Sequence, residues 1–206
     1  MAKGTTTNTS DVVVIGGGLI GCTIALRLAQ AKQRVCVLDR GQPGAEASTA
    51  AAGMLAPQGE AVDLDAFYEF CAASRDLYPE FIREIQELSS ERIDYHRDGT
   101  LVVGIEEHEC QELERIYAAQ SRLGLSTELL KPEEAHARVK GLSPEIQRAL
   151  YIGGDHRVDN ERLTHAVIKA CRQLGVTICA GRPVRKLNLR GDRVESVDAE
   201  IGRAHV

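Results

Sequence analysis

The sequence predicts an α/β protein built on a parallel sheet and interrupted by an α+β insertion, and three observations carry that prediction. Residues 11–39, DVVVIGGGLIGCTIALRLAQAKQRVCVLD, read as a short apolar strand, a glycine turn, a helix-compatible segment and a second apolar strand. A further helical pattern at 160–174, followed by the apolar run VTICA at 176–180, resumes the same alternation. Residues 40–158 between them mix helical spacing with short strands. Strand and helix in alternation make a parallel sheet, and the intervening stretch makes a second domain.

The first turn is the most informative stretch. Val12–Ile15 feeds directly into Gly16, Gly17 and Gly18, and the spacing is Gly16-x-Gly18-x-x-Gly21. Gly16 permits the tight turn, Gly18 lets backbone approach a pyrophosphate, and Gly21 lets the helix pack closely on the strand. The helix N-terminus then offers unpaired amides and about half a positive charge to an anion. Val35–Leu38 is the second strand, and it ends on Asp39, 18 residues beyond Gly21. A carboxylate there can accept hydrogen bonds from a ribose. The glycines alone are a weak signal. With strand, helix, second strand and terminal acid in order, they predict a Rossmann-like nucleotide-binding domain.

Composition bounds the rest. The chain has 206 residues, 43% hydrophobic and 27% charged, which is globular and long enough for one or two domains. A net charge of −5 and no basic run give no general field for nucleic acid or an anionic membrane. The six cysteines form no C-x-x-C pair and fall in apolar periodic segments, as reduced core thiols do. Residues 12–31 are apolar but hold Arg27, Gln30 and four glycines, and no cleavage site follows, so they are neither membrane span nor signal core. The expected location is the cytoplasm. Residues 1–10 are polar and expected to be disordered.

Residues 40–60, RGQPGAEASTAAAGMLAPQGE, have no clear period. Ala50–Leu55 is small and apolar rather than solvated, which favours a cofactor-lining loop over a linker. Asp63–Ser90 carries apolar residues at helical spacing, with Pro79 dividing it into two helices and the aromatics Phe67, Tyr68, Phe70, Tyr78 and Phe81 expected in a core. Ile93–Tyr95 and Thr100–Ile105 flank HRDG and are expected to pair as a hairpin about Asp98-Gly99. Residues 106–123 form a helix with Cys110, Leu113, Ile116, Tyr117 and Leu123 inward, and its five glutamates spread around it as a solvated face rather than a metal site. Leu129–Leu130 and Ala149–Ile152 are short strands, and Pro132 opens a helix. Asp159 caps the 160–174 helix and Gly175 stops it. RPVRKLNL and RVESVDAE then flank Gly191-Asp192 as a second hairpin. The six histidines are scattered singly, each a surface or hydrogen-bonded residue. The expected organisation is a nucleotide-binding domain that starts at 11–92 and resumes at 159–199, where it is incomplete, with a partial substrate domain inserted at 93–158.

Over residues 11–199 the chain resembles the FAD-dependent amino-acid oxidases, most closely their glycine-oxidase branch, which serves thiamine thiazole biosynthesis. The resemblance is carried by VVVIGGGLIGCTIALRLA, VLDRG, STAAAGMLAP at 48–57 and GGDHRVDNERLTHAVIKACRQLGVTI. It implies FAD as cofactor, with the Leu19 and Ile20 amides on the pyrophosphate beside Gly16, Gly18 and Gly21. It places Asp39 on the adenosine ribose with Arg40 beside it. Ala47, Ser48, Thr49, Ala52, Gly53 and Met54 would line the phosphate and flavin side, and Val184 would hold the adenine through its backbone. Asp39 departs from the pattern, which usually has the longer glutamate. The implied reaction passes hydride from the α-carbon of a small amino acid or amine to the flavin; the imine hydrolyses and oxygen or another acceptor takes the electrons, giving peroxide where it is oxygen. The resemblance also implies a homo-oligomer for the full-length form. Its substrate-binding arginine and tyrosine fall beyond these residues, so no catalytic residue is assigned. An NAD-dependent dehydrogenase and a non-catalytic nucleotide-binding module use the same glycines and remain alternatives.

The final residues, Glu200 to Val206, match no segment of that pattern. They back-translate to GAG ATC GGA AGA GCA CAC GTC, the opening of a widely used sequencing adapter whose next triplet is a stop. The expectation is that native sequence ends near Ala199 and 200–206 is a non-native tail, leaving both domains incomplete, poorly soluble and inactive as an oxidase.

Overall fold

The computed structural model describes residues 9–60 and 65–200. In chain order the elements begin with β1 (Val12–Ile15), α1 (Leu19–Gln30), β2 (Val35–Leu38), α2 (Ala47–Ala50), β3 (Met54–Leu55), α3 (Ala66–Asp76) and α4 (Tyr78–Ser89). They continue with β4 (Tyr95–His96), β5 (Thr100–Gly104), α5 (Glu107–Arg122), β6 (Thr127–Leu130), α6 (Pro132–Arg138), β7 (Arg148–Ile152) and β8 (His156–Val158). The last are α7 (Asn160–Gln173), β9 (Thr177–Cys179), β10 (Val184–Arg190) and β11 (Arg193–Ala199). They gather into two compact units, one from the chain up to Ala52, Ile82–Ile93 and the chain from Asp159, the other from Gly53–Phe81 and Asp94–Val158. The second unit closes at Val158, where the sequence places the end of the insertion, but it also takes Gly53–Phe81, which the sequence assigns to the nucleotide-binding domain.

The first unit is Rossmann-like. Its sheet runs β1-β2-β9, all parallel, with Val12 opposite Val35 and Cys36 opposite Thr177. α1 buries Cys22, Ala25 and Leu26 and packs on α7, which buries Leu163, Ala166, Val167, Ala170 and Cys171. Small residues on both helices allow a close approach, and the Cys171 thiol donates to the Cys22 carbonyl at 3.1 Å. The neighbouring Cys22 thiol, together with burial, pushes the Cys171 thiol up, so it stays protonated. All six cysteines are free. Asp159 accepts the Arg162 amide at 2.9 Å, and Gly175 (φ +83) ends the helix in the left-handed region. β10 and β11 form the expected hairpin, turning at Gly191 (φ +66).

The second unit holds two antiparallel sheets, β3-β8-β4 and β5-β7-β6. One cluster packs Leu113, Leu150 and Ile152, and another Leu130, Ala135 and Ala149. In the same unit, Asp155 is buried and accepts the amides of Gln58 and Gly59 at 3.2 and 3.1 Å. Gln58 and Gln120, both buried, exchange bonds at 2.9 and 3.1 Å, fastening the 57–60 loop to α5.

Four expectations change. β4 and β5 do not pair with each other: β4 joins β8, while β5 joins β7 in the other sheet. The Asp98-Gly99 turn (Gly99 φ +78) therefore passes the chain from one sheet to the next, because longer-range partners outcompete the local hairpin. Residues 40–60 are not featureless, since they carry α2 and β3. The aromatic face of α3 is not a core: Phe67 and Phe70 are 73% and 71% exposed, and α3 buries no residue, while α4 buries Ile82, Ile85 and Ser89. Leu123 lies at the α5 C-cap and is exposed, and Gln120 is the residue buried there. The two-helix division holds with its break at Leu77, so Pro79 sits in the first turn of α4, where its missing N–H costs nothing. Asp63, residues 1–8 and residues 201–206 lie outside the described residues. Glu200 is described and pairs with Arg185 at 2.7 Å.

Candidate functional site

The site assembles where β1 ends. Gly16 sits at φ +103, a conformation open to glycine and strained for other residues. A Cβ on Gly18 would stand 2.8 Å from the Ser48 hydroxyl, and a Cβ on Gly21 would drive into the Gly16 carbonyl. The turn thus keeps bare backbone at the α1 N-terminus, as the spacing requires of an anion seat.

Asp39 closes the turn from the tip of β2. Its Oδ2 accepts the Gly17 amide at 2.6 Å and its Oδ1 the Gly41 amide at 2.7 Å. Each carboxylate oxygen has two lone-pair directions, so accepting those amides leaves capacity for ribose hydroxyls. The sequence placed Asp39 beside the ribose and did not foresee that it also shapes the glycine turn through Gly17. Arg40 spends its fork on Glu46, at 3.0 and 2.7 Å, and that pairing holds Glu46 below the usual carboxylate range.

Val184 opens β10, and the chain before it is tied to the Asp39 turn: Gly181 N–H donates to Gly41 O at 2.9 Å and Arg182 N–H to Asp39 O at 2.6 Å. Val184 therefore follows directly on a segment bonded to the Asp39–Gly41 turn. α2 carries Ala47, Ser48 and Thr49. The Ser48 hydroxyl accepts the Leu19 amide at 2.9 Å, and the Thr49 hydroxyl bonds back to Glu46 O at 3.3 Å. Ile20 is 78% exposed, and Ala47 and Ala52 are exposed. Gly53 and Met54 belong to the second unit, where buried Gly53 (φ +76) accepts the Val158 amide at 2.9 Å and Met54 leaves its side chain largely exposed. Sequence reasoning missed Asn160 and Thr164 of α7, which bond to the Ser48 carbonyl across more than a hundred residues, a contact that no local pattern encodes.

In the second unit, Tyr95 bonds buried His156 at 2.7 Å and stacks with Tyr78. Burial lowers the His156 pKa, so the ring is neutral at neutral pH and serves as a packed hydrogen-bonding group. Among the described residues no cluster of His, Cys, Asp and Glu could hold a metal ion, and no helix is long and apolar enough to cross a membrane.

The residues present fit the adenosine and pyrophosphate half of a dinucleotide: bare backbone at a helix N-terminus, a carboxylate at the neighbouring strand tip, and small residues between. The family described as FAD dependent oxidoreductase matches residues 11–206. The chain is 30% identical to glycine oxidase of Bacillus licheniformis over 92% of its length and 50% of that protein. It is 33% identical to the bifunctional protein ThiO/ThiG of Synechocystis sp., over 94% of its length and 28% of that protein. The structure of glycine oxidase from Geobacillus kaustophilus superposes with a TM-score of 0.84 at 30% identity, covering 91% of this chain and 50% of that one. An L-α-glycerophosphate oxidase from Mycoplasma pneumoniae, solved with FAD bound, shares the fold with a TM-score of 0.75 at 22% identity, over 88% of this chain and 47% of that one. The chain thus spans about half the length of the glycine oxidases it matches. With a family match over residues 11–206, the chain belongs to the FAD-dependent oxidoreductase family, whose cofactor is FAD.

Proposed function

We propose that the whole protein oxidises the CH–NH2 group of a small amino acid, glycine first among the candidates, giving an imine that hydrolyses to glyoxylate and ammonia, with oxygen as electron acceptor and hydrogen peroxide as product. The observation that carries the reading is the junction of two features: the Gly16–Gly21 seat closed by Asp39, and α2 held against it through the Ser48 hydroxyl. Their combination in a chain 30% identical to a glycine oxidase supports the amine chemistry. The similarity to ThiO/ThiG proteins supports a place in thiamine thiazole biosynthesis.

FAD, when bound, supplies the hydride acceptor, and the protein supplies position and electrostatics. The Ile20 amide and the bare Gly16 and Gly18 backbone receive the pyrophosphate; the Leu19 amide, expected to join them, is taken by the Ser48 hydroxyl, which faces the same seat. Asp39 orients the ribose, with Arg40 beside it, and Val184 backbone meets the adenine. Ala47, Ser48, Thr49, Ala52, Gly53 and Met54 line the phosphate and flavin side, where the small side chains before Met54 let backbone approach the cofactor.

A peroxide assay of the whole protein across glycine, sarcosine, D-amino acids and proline tests this. Turnover of a small amine with stoichiometric peroxide supports it. A flavin-loaded protein that reduces with none of these amines refutes it.

A further inference from the structure

α1 begins after Gly18, which has no side chain to cap it, and the first α1 amide is taken by the Ser48 hydroxyl, 29 residues further along, at 2.9 Å. Ser48 lies on α2, a helix of four residues with no side-chain cap and no buried residue. Nothing within α2 fixes Ser48. The fixing comes from α7: the Asn160 side-chain amide donates to the Ser48 carbonyl, and the Thr164 hydroxyl lies 3.4 Å from the same oxygen while bonding the Asn160 carbonyl at 2.7 Å. Thr164 is fully buried, and the turn before α2 leans on it, because Gly44 (φ +81) leaves only 2.7 Å between a would-be Cβ and the Thr164 methyl.

We propose that Asn160 is a positioning residue for the cofactor's pyrophosphate, a proposal that rests on the FAD reading. Holding the Ser48 carbonyl keeps the Ser48 hydroxyl at the α1 N-terminus. There the hydroxyl accepts the Leu19 amide and has its own proton to donate to a phosphate oxygen. The task needs a donor at position 160, and Asn160 is free to perform it because Asp159 already caps α7. An aspartate in its place has the right shape but nothing to donate, and it repels the carbonyl it would face.

The test is a titration of the chain with FAD, run on the parent, N160A, N160D, S48A and S48A/N160A, with the thermal midpoint of each cofactor-free protein measured alongside. Losing one positioned hydrogen bond should weaken FAD binding about three- to tenfold in N160A. N160D should lose at least as much affinity as N160A, while its cofactor-free midpoint stays at or above that of N160A, because an acid in the first turn suits the helix dipole and offsets the repulsion. A purely structural role would move midpoint and affinity together. In the S48A background the N160A change should add less than about a twofold loss, since its effect runs through the hydroxyl already removed. Unchanged affinity in N160A, or the same fold loss in both backgrounds, overturns the proposal while leaving the cofactor reading intact. A parent that leaves FAD unbound overturns both.

Discussion

At Gly21 the absence of a side chain is a geometric necessity, since an added Cβ would enter the Gly16 carbonyl. Gly21→Ala should therefore lose roughly 1–3 kcal/mol or more by overpacking. Gly175→Ala, at φ +83 with open space around it, should lose only about 1 kcal/mol from backbone strain. Urea unfolding of the two variants checks the ordering, and equal losses would contradict it. Asp155 offers a pH test. Burial raises its carboxyl above the ordinary value of 3.8, so the folded state favours the neutral acid. The stability this group contributes is therefore fullest below that ordinary value and is lost as pH rises through the raised one. The cost of Asp155→Asn should be largest in acid and shrink toward neutral pH, measured as the unfolding free-energy difference from the parent at each pH; a cost that grows with pH would contradict it. The glycines and Asp39 were legible because their spacing is itself the geometry. Asp155, Gln58 and Asn160 were not, because each matters through a partner far away in sequence.

Among the elements, α7 and α3 make the contrast. Both carry apolar residues at helical spacing, yet α7 buries Leu163, Val167 and Cys171, while α3 buries nothing among the described residues. Leu163→Ala should cost about 2–5 kcal/mol through cavity formation, and Phe67→Ala within about 0.5 kcal/mol, as read by chemical denaturation. A large loss at Phe67 would show that something covers that face in solution. Periodicity told that a helix forms and which side is apolar, but not whether another element covers that side. The same limit explains the failed hairpin. Asp98-Gly99 correctly marks a turn, whereas the partners of β4 and β5 were set by β8 and β7, both distant in sequence. β1, α1, β2, α7 and β9 were legible because each couples a local pattern to a capping or stopping residue.

At the scale of the first unit, one edge of the parallel sheet is apolar and open. In the sheet order β1-β2-β9, β1 has no partner on its outer side among the described residues, and Val13, Ile15, Ile20 and Ile24 are exposed. An unpaired strand edge beside bare apolar surface favours association, so the chain should self-associate or precipitate at micromolar concentration, as light scattering would reveal. A monodisperse monomer would contradict that. The central claim is that backbone bared at Gly16–Gly21, closed by Asp39 and Ser48, seats FAD. Its most direct test is titration of the refolded chain with FAD, and with NAD as the control, following quenching of flavin fluorescence for one and displacement of bound flavin for the other. Saturable binding of one FAD, lost in Gly18→Val and indifferent to NAD, is the predicted result; no FAD binding, or the same binding in Gly18→Val, would contradict it.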